Sequence, residues 1–386
     1  MKHNITLFYM HKFFSSFFLF GPTIILFFLE SVTYAQLGII MGLSMITSIF
    51  FEVPSGYWAD TFGRKKLVLI GEMIGVLELA TLIFFQNFYG FAISGILGGL
   101  ASACISGADS SLLYDSMSKE QLLKRKQIFG NLRAFRYLAI IIAALIGAPL
   151  FGISKELPLA LTIVSVIVSI SLFSFIKEPS RKTRSTTVIE KLNIKSAFKI
   201  LLKSQKAQHY IFFGIVSGVF IWIFHDLFTA PFYTQIGVPI AFLGVITATI
   251  TFVRIFFSLK AETIEKVLSE KKTKAILLFF PGILLLAIGI TNNFFSILLA
   301  IVLYCIWSVQ EVLSDVYIHE NIPSKQRATL FSIYSLLLSL SLLVGGVVFG
   351  YIAEIFGLAI TLISLGVANI VFGILMQFSQ LQSLTK

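Results

Sequence analysis

The segment Ser55–Lys66 reads SGYWADTFGRKK and lies between two long apolar stretches. It contains one aspartate, two glycines and three consecutive cations. Charged side chains are costly inside a bilayer, so such a cluster between apolar stretches predicts a short polar loop at a membrane surface. The segment therefore indicates that the chain on either side of it crosses a membrane.

The composition of the whole chain agrees with a membrane protein. Hydrophobic residues make up 57% of the 386 residues and charged residues only 13%, whereas a soluble domain has about 25% charged residues. Twelve apolar stretches follow one another, and each is long enough to cross a hydrocarbon core about 30 Å thick. The first stretch, residues 5 to 28, is too long for a secretory signal, and we expect it to form the first membrane helix.

A net charge of +11 can indicate a nucleic-acid partner, so the positions of the cations matter. If the N-terminus is cytoplasmic, nearly all Lys and Arg residues fall on the cytoplasmic side, and Lys155 alone falls outside. Four more lie within predicted spans: Lys12, Arg133, Arg136 and Arg254. This asymmetry follows the positive-inside rule and predicts that both termini are cytoplasmic. The charge therefore indicates topology, and no nucleic-acid partner is predicted.

No pattern in the sequence indicates a cofactor, a metal site or an enzyme. Cys104 and Cys305 lie inside predicted spans, where a disulfide framework or a metal site is not expected. Neither the P-loop nor the dinucleotide-binding pattern occurs, and the histidines show no H-x-x-x-x-D or H-E-x-x-H spacing. These observations exclude an ATP-driven pump on sequence grounds and leave a secondary transporter as the main hypothesis.

A long polar stretch divides the chain into two sets of six predicted spans. We expect an N-terminal bundle over residues 1–176, a basic cytoplasmic linker over 177–208 and a C-terminal bundle over 209–386. Within the linker, cations and apolar residues alternate with helical spacing: Lys191, Lys195, Lys199 and Lys203 on one side, and Ile194, Phe198, Leu201 and Leu202 on another. This pattern predicts an amphipathic helix on the anionic inner leaflet of the lipid bilayer, with a solvated linker as the alternative.

The two halves align with each other as an internal repeat. The segment LGIIMGLSMITSIFF (37–51) matches LGVITATITFVRIFF (243–257) at an offset of 206 residues, and the same offset relates Asp109 to Asp315. GAPLFG (147–152) also matches GGVVFG (345–350). At the 206-residue offset SGYWADTFGRKK falls on ETIEKVLSEKK (262–272), where the glycines are lost and the charges inverted. We therefore expect pseudo-symmetric halves with an intact polar loop in the first half only.

The spacing Gly56-x-x-x-Asp60-x-x-Gly63-Arg64-Lys65-Lys66 closely resembles the signature loop of the major facilitator superfamily, often called motif A. Together with the twelve spans and the repeat, the resemblance implies two six-helix bundles that transport a small-molecule substrate by alternating access. It also implies that the loop is a cytoplasmic latch. We assign this role to Asp60 and Arg64, with Asp115 as a second partner of Arg64. The residue types suggest that Gly56 allows close helix approach and that Gly63 allows a tight turn.

In the superfamily, spans 1, 4, 7 and 10 line the central cavity, which directs attention to polar residues in those spans. Candidates for the proton or substrate pathway are Asp109, Trp222, His225, Asp226, Tyr304, Trp307, Gln310, Glu311 and Asp315. We favour Asp226 and Glu311 as proton-binding groups, because a buried carboxyl can hold a proton that an arriving substrate releases.

Structural roles compete with each of these assignments. Asp109 and Asp315 lie near predicted helix ends and can serve as caps or interdomain hydrogen-bonding groups. His225 can be an ordinary buried histidine or a proton relay. Trp222 and Trp307 can pack in the core or bind an organic cation.

Arg136 is predicted to lie about 15 Å inside a span, too deep for its guanidinium to reach water easily. It therefore needs an acidic partner, for which Glu52, Glu78 and Asp109 are candidates.

The direction of transport is less strongly indicated. The glycine and proline signature of superfamily exporters in span 5 is only partly kept, as Ala148-Pro149 and Gly152, and span 4 lacks an arginine. We favour proton-coupled efflux of a small amphiphilic or cationic organic compound; the alternatives are a nutrient importer, by symport or facilitated diffusion, and a transport-like receptor. Short loops suit a bacterial cytoplasmic membrane. The oligomeric state is not predicted.

Overall fold

The computed structural model describes residues 2–178, 201–202, 204–321 and 327–384, and the regular elements in these residues are helices. Most of the predicted linker 177–208, with the lysine face of its amphipathic helix, lies outside the described residues. An all-α membrane fold is therefore confirmed, whereas the linker helix stays a prediction.

Nine helices form the first part of the chain. They are α1 (Lys2–Phe14), α2 (Ile24–Leu29), α3 (Tyr34–Phe62), α4 (Arg64–Phe84), α5 (Phe88–Ile105), α6 (Ala108–Asp115), α7 (Lys119–Leu123), α8 (Arg125–Phe151) and α9 (Leu157–Ser174). In this part α4 packs against α5, α6 and α9, and α1 packs against α8 and α9.

Six further helices are described after the linker. They are α10 (Gln205–Ile223), α11 (Thr229–Gln235), α12 (Ile240–Leu268), α13 (Glu270–Thr291), α14 (Phe295–Asn321) and α15 (Arg327–Leu384). Here α15 packs against α10 and α13, and α14 packs against the same two helices.

The chain forms two compact units. The first unit contains residues 1–32, 39–185 and 239–251, and the second contains 33–38, 186–238 and 252–386. Residues at the start of α3 thus belong to the second unit, and residues at the start of α12 belong to the first.

Ten helices among the described residues are long and apolar enough to cross a membrane. The last of these, α15, covers two predicted spans. It is interrupted between them at Gly357, where φ is 80° and ψ is 170°. The first predicted span is split into α1 and α2, and each of these helices is too short to cross a membrane alone. The expectation of one continuous helix over residues 5 to 28 is therefore wrong, and the count of twelve spans stays a prediction.

The break between α1 and α2 has a physical cause in the sequence. Pro22 lacks a backbone N–H and its ring clashes with the carbonyl one turn earlier, so a helix does not pass through it without distortion. The backbone N–H of Leu19, which lies in the break, donates to Oγ1 of Thr162 at 3.1 Å. Gly147 of α8 makes room for the same residue, since a Cβ there would lie 1.7 Å from the carbonyl oxygen of Leu19.

The structure preserves the internal repeat at the turn between the second and third predicted spans of each half, which joins α3 to α4 and α12 to α13. Helices α3 and α12 each have 29 residues, and their first and last residues are related by the 206-residue offset. The offset also relates the turn residues Gly63 and Ser269, which have φ of 102° and 71°. The turn geometry is therefore kept in the second half although its glycine is lost.

Each unit has its own cluster of buried apolar side chains. In the first unit Phe8, Val68 and Phe173 belong to one cluster, and in the second unit Phe213, Leu277 and Leu313 belong to another. These contacts fix the helices that carry the ionisable side chains. Because lipid tails are as apolar as these side chains, the packing stabilises the bundle mainly through close van der Waals contact.

Candidate functional site

A π-helical turn separates α10 from α11 and carries two of the predicted site residues. The turn covers Phe224–Phe228 and contains His225 and Asp226. The hydroxyl of Thr229 donates to the carbonyl oxygen of Phe224, five residues earlier, at 3.0 Å. Single π-helical turns are frequent at functional sites, because they change which side chains face inward.

Tyr304 of α14 connects this turn to the neighbouring helix. Its hydroxyl lies 2.8 Å from Oγ1 of Thr229 and 3.1 Å from Nδ1 of His225, and its side chain is fully buried. His225 thus has a fixed hydrogen-bond partner, as expected for a satisfied histidine. The structure brings both predicted residues, His225 and Tyr304, into one hydrogen-bonded group.

Aromatic rings surround this group. The rings of Trp222 and Trp307 are nearly perpendicular, with centroids 5.2 Å apart, and the His225 ring lies 5.1 Å from Trp307. The guanidinium carbon of Arg254 lies 4.0 Å above the Trp307 ring, an arrangement that favours a cation. The buried Nε1 of Trp307 has no hydrogen-bond partner among the described residues.

Arg254 of α12 is the cation at the centre of the site. It donates to Oε2 of Glu311 at 2.6 Å, and its charge also acts on Asp226 and His225. Within the described chain, Asp226 has no hydrogen bond or ion pair of its own. The guanidinium of Arg254 is therefore bonded to the carboxylate of Glu311, and its charge also acts on the carboxyl group of Asp226.

Glu311 and Asp315 also line a cavity of about 190 Å³. Its other lining residues are Gly214, Gly218, Trp222, Gln310, Tyr334 and Leu338. Gln310 is held by α10, since its Nε2 lies 3.2 Å from the Gly214 carbonyl oxygen and 3.0 Å from Oγ of Ser217. Gln310 therefore fixes the wall of the cavity, and the carboxyl groups provide its charge.

In the first unit, Asp109 lies in a separate ion pair. Lys12 Nζ lies 3.1 Å from Oδ2 of Asp109, while Oδ1 accepts from the backbone N–H of Ser110 at 2.5 Å. Arg136 is exposed and has no ion pair with any residue that the structure describes. Of the three candidate partners, Asp109 pairs with Lys12, and the described residues show no ion pair of Arg136 with Glu52 or Glu78.

The loop SGYWADTFGRKK makes its observed contacts within the first unit. Gly63 has the positive φ of the predicted tight turn, the backbone N–H of Arg64 donates to Oε1 of Glu178 at 2.9 Å, and the Arg64 guanidinium pairs with Asp115. The expected close approach at Gly56 is not found in this structure, since a Cβ there would meet no described atom within 4 Å. Asp60 is exposed at the end of α3.

Sequence reasoning misses Arg254, His11 and Glu72 as members of ion pairs inside the predicted spans. Arg254 is one of the cations counted inside spans, but the sequence assigns it no partner. His11 and Glu72, which lie 2.7 Å apart in the first unit, are not among the predicted site residues. The available signal is the same in each case: an ionisable residue within an otherwise apolar stretch requires a partner.

Comparison with known proteins gives concordant matches. A family model described as Major Facilitator Superfamily matches residues 12–314. The "Uncharacterized MFS-type transporter YxaM" of Bacillus subtilis is 23% identical over 356 residues, covering 88% of this chain and 86% of the relative. An "Uncharacterized transporter" of Buchnera aphidicola is 31% identical over 116 residues, so the matched part covers only 29% of that relative.

The same fold occurs among solved structures. The chain superposes on the crystal structure of the nucleoside transporter NupG with a TM-score of 0.78 and 12% identity, covering 97% of this chain and 98% of the other. At this identity the likeness shows the fold alone.

Proposed function

This chain belongs to the Major Facilitator Superfamily, and from that premise we propose that it is a proton-coupled exporter of a small amphiphilic or cationic organic compound. It would work by alternating access, with protons moving inward as the substrate moves outward. The proposal includes a bacterial cytoplasmic membrane, cytoplasmic termini and a linker that lies on the anionic inner leaflet, since the distribution of cations supports this topology.

The observation that carries the proposal is that two carboxyl groups of the second unit, those of Asp226 and Glu311, are acted on by the same guanidinium, that of Arg254. Asp315, which is exposed, lines the cavity beside Glu311 and adds a third carboxyl group to the site. Charge buried without compensation is costly, so a group of this kind takes up positive charge. Protons and a cationic substrate can both supply that charge, and their competition for one site would couple their movements.

Arg254 provides a way for one proton to shift between Glu311 and Asp226. While Glu311 is ionised, Arg254 pairs with it, and Asp226 is left to bind a proton. If Glu311 becomes protonated, its attraction for Arg254 falls and the guanidinium becomes available to Asp226, which then releases its proton. Each arrangement leaves one carboxyl protonated and the other paired with Arg254, so the exchange shifts a proton between two positions without leaving an unpaired carboxylate.

The aromatic rings support an organic cation over an inorganic one. Arg254 already lies on the face of Trp307, so this ring position can accommodate a flat delocalised cation. A planar cationic substrate that took this position would displace Arg254, and Trp222 would contact its edge.

The loop SGYWADTFGRKK is proposed to act as a latch that changes partners during the cycle. Its contacts to Asp115 and Glu178 hold Arg64 within the first unit in the described arrangement. In the other arrangement we propose that Asp60 and Arg64 contribute to closing the cytoplasmic side.

Everted membrane vesicles test this function, with ethidium as a planar organic cation. If the proposal is correct, energised vesicles that contain the protein accumulate ethidium, a protonophore abolishes the accumulation, and Asp226→Asn loses it. Glu262→Gln is the matched control, because Glu262 is an exposed carboxylate paired with Lys266. Uptake of substrate by right-side-out cells, without accumulation in everted vesicles, would instead show import and overturn the export proposal.

A further inference from the structure

A second group of ionisable side chains lies in the first unit, apart from the site described above. Nε2 of His11 on α1 and Oε1 of Glu72 on α4 lie 2.7 Å apart, and both side chains are only 3% exposed. The hydroxyl of Ser169 on α9 donates to the same Glu72 oxygen at 3.0 Å. The pair thus lies where three helices meet, with the Phe173 ring centroid 4.4 Å from that of His11.

Among the described residues, the other carboxyl oxygen of Glu72 has no partner. Oε2 is buried and makes no hydrogen bond to any part of the chain that the structure describes. A structural ion pair is normally stable only when its remaining polar atoms are satisfied as well. The pair is therefore incompletely satisfied by the protein alone.

The charge of the pair depends on one proton. A nitrogen and an oxygen 2.7 Å apart share a hydrogen. If the imidazole supplies that hydrogen from its neutral form, Glu72 is ionised and the pair has a net charge of −1. One additional proton, on either residue, makes the pair neutral overall. Since an uncompensated buried charge is costly, the surroundings of the pair decide whether it takes up that proton.

Among the side chains that the structure describes, the neighbouring helices bring no free cation to the pair. Helices α5 and α9, which pack against α4, contain no charged residues. On α1 the adjacent Lys12 is paired with Asp109 of α6, and the other carboxylate of α6, Asp115, is paired with Arg64. The cations of α8 are exposed, namely Arg125, Lys126, Arg133 and Arg136.

Helix α4 itself carries its cations in its first turn, away from Glu72. Arg64 is paired with Asp115, Lys65 Nζ donates to the carbonyl oxygen of Ser174 at 2.5 Å, and Lys66 is exposed. The other acidic residue on this helix, Glu78, brings no positive charge. Among the described residues, therefore, no cation other than a proton on His11 or Glu72 compensates the pair.

From this geometry we propose that His11 and Glu72 form a buried proton-binding site, which binds and releases one proton per chain. The proton moves between Nε2 of His11 and Oε1 of Glu72, and Ser169 stabilises the ionised carboxylate. When the proton leaves, the N–H of the neutral imidazole continues to donate to Glu72, so no bond to the protein is lost. Glu72 is the binding group and His11 is the relay.

The site has a direct connection to the ion pair next to it. His11 and Lys12 are consecutive residues of α1, and they contact carboxylates on two different helices, α4 and α6. A change of charge at Glu72 therefore acts on the segment that positions Lys12 and Asp109. Use of this proton in transport rests on the proposed function, whereas binding of the proton does not.

Infrared difference spectroscopy of the purified full chain in lipid nanodiscs tests the site without any substrate. When the sample is titrated from alkaline to acidic pH, the wild type is expected to gain a protonated-carboxyl band. Glu72→Gln removes that band, and His11→Gln shifts its frequency and its pH midpoint. Glu78→Gln is the matched control on the same helix, and it leaves intact the band that responds to His11→Gln.

Two results would overturn the site. One is a wild-type spectrum that Glu72→Gln leaves unchanged; the other is a Glu72 band that His11→Gln does not shift. If Glu72→Gln does not fold, Ser169→Ala replaces it, because loss of the hydroxyl should raise the pH at which the band appears, and an unchanged midpoint would count against the site. If the wild type shows the Glu72 band but its everted vesicles do not accumulate ethidium, only the proposed function is contradicted.

Discussion

Arg254 donates to Oε2 of Glu311 at 2.6 Å, and the same guanidinium lies 4.0 Å above the ring of Trp307. A planar guanidinium makes both contacts at once, since its edge donates hydrogen bonds while its face covers a ring. Asp226, on the π-helical turn, also experiences this charge. The arrangement links two carboxyl groups through a single cation.

Replacing Arg254 by Gln should lower ethidium transport about tenfold or more, because a hydrogen bond to a charged group contributes about 1.5–3 kcal/mol. Arg254→Lys should restore little activity, since an ammonium cannot pair with Glu311 and cover Trp307 in the same way. Initial rates in everted vesicles provide the measurement. Full activity of Arg254→Lys would show that only the positive charge matters.

The two residues of the central pair should be coupled in stability. Glu311→Gln in the Arg254→Gln background should destabilise the protein less than Glu311→Gln in the wild type, because the partner is already absent. Thermal unfolding of the four proteins in nanodiscs gives the coupling. Additive effects of the two substitutions would contradict a direct Arg254–Glu311 interaction.

Ser269→Gly should stabilise the protein by about 1 kcal/mol, since backbone strain of the kind found at Ser269 costs residues other than glycine about 1–3 kcal/mol. Ser269 has φ of 71° and ψ of 150°, a region that glycine occupies easily. Asn292→Gly is the control, because Asn292 lies in the left-handed helical region, which asparagine tolerates. A lower unfolding temperature for Ser269→Gly would show that its hydroxyl contributes more than the backbone costs.

Gly147→Ala should destabilise the first unit strongly, because the new Cβ would lie 1.7 Å from the carbonyl oxygen of Leu19. Overpacking of this kind costs about 1–3 kcal/mol. Gly130→Ala on the same helix α8 is the matched control, as a Cβ there meets no described atom within 4 Å. The two variants are compared by unfolding temperature, and equal effects would argue against the close contact with Leu19.

Asp60→Asn should slow transport while leaving membrane insertion intact, because the latch needs the carboxylate and topology does not. Lys66→Gln, in the same loop, should have little effect on the rate. Flux in reconstituted vesicles, normalised to inserted protein, makes the comparison. Unchanged flux with Asp60→Asn would remove the latch role.

Much of the fold could be predicted from local sequence. The long apolar helices, the repeat offset and the tight turn at Gly63 follow from short stretches of sequence. The structure contains all three. The interruption of the first span is only partly readable. Gly21-Pro22 is visible in the sequence, but the acceptor Thr162 and the space at Gly147 come from helices distant in sequence.

The candidate site was less predictable, because partner choice depends on how helices rotate against each other. The sequence singles out His225, Asp226 and Glu311 as polar residues in apolar spans, yet it offers no means of pairing Glu311 with Arg254, 57 residues earlier. For the same reason Arg136 is expected to have an acidic partner, although Asp109 pairs with Lys12.

The central claim is that Asp226 and Glu311 share the coupled proton and that a cationic substrate displaces it. The most direct measurement is proton release from purified protein in weakly buffered solution when ethidium binds, followed with a pH-sensitive dye. The wild type and Glu262→Gln should release close to one proton per bound ethidium, and Asp226→Asn should release markedly less. Release from Asp226→Asn equal to that of the wild type would contradict the account.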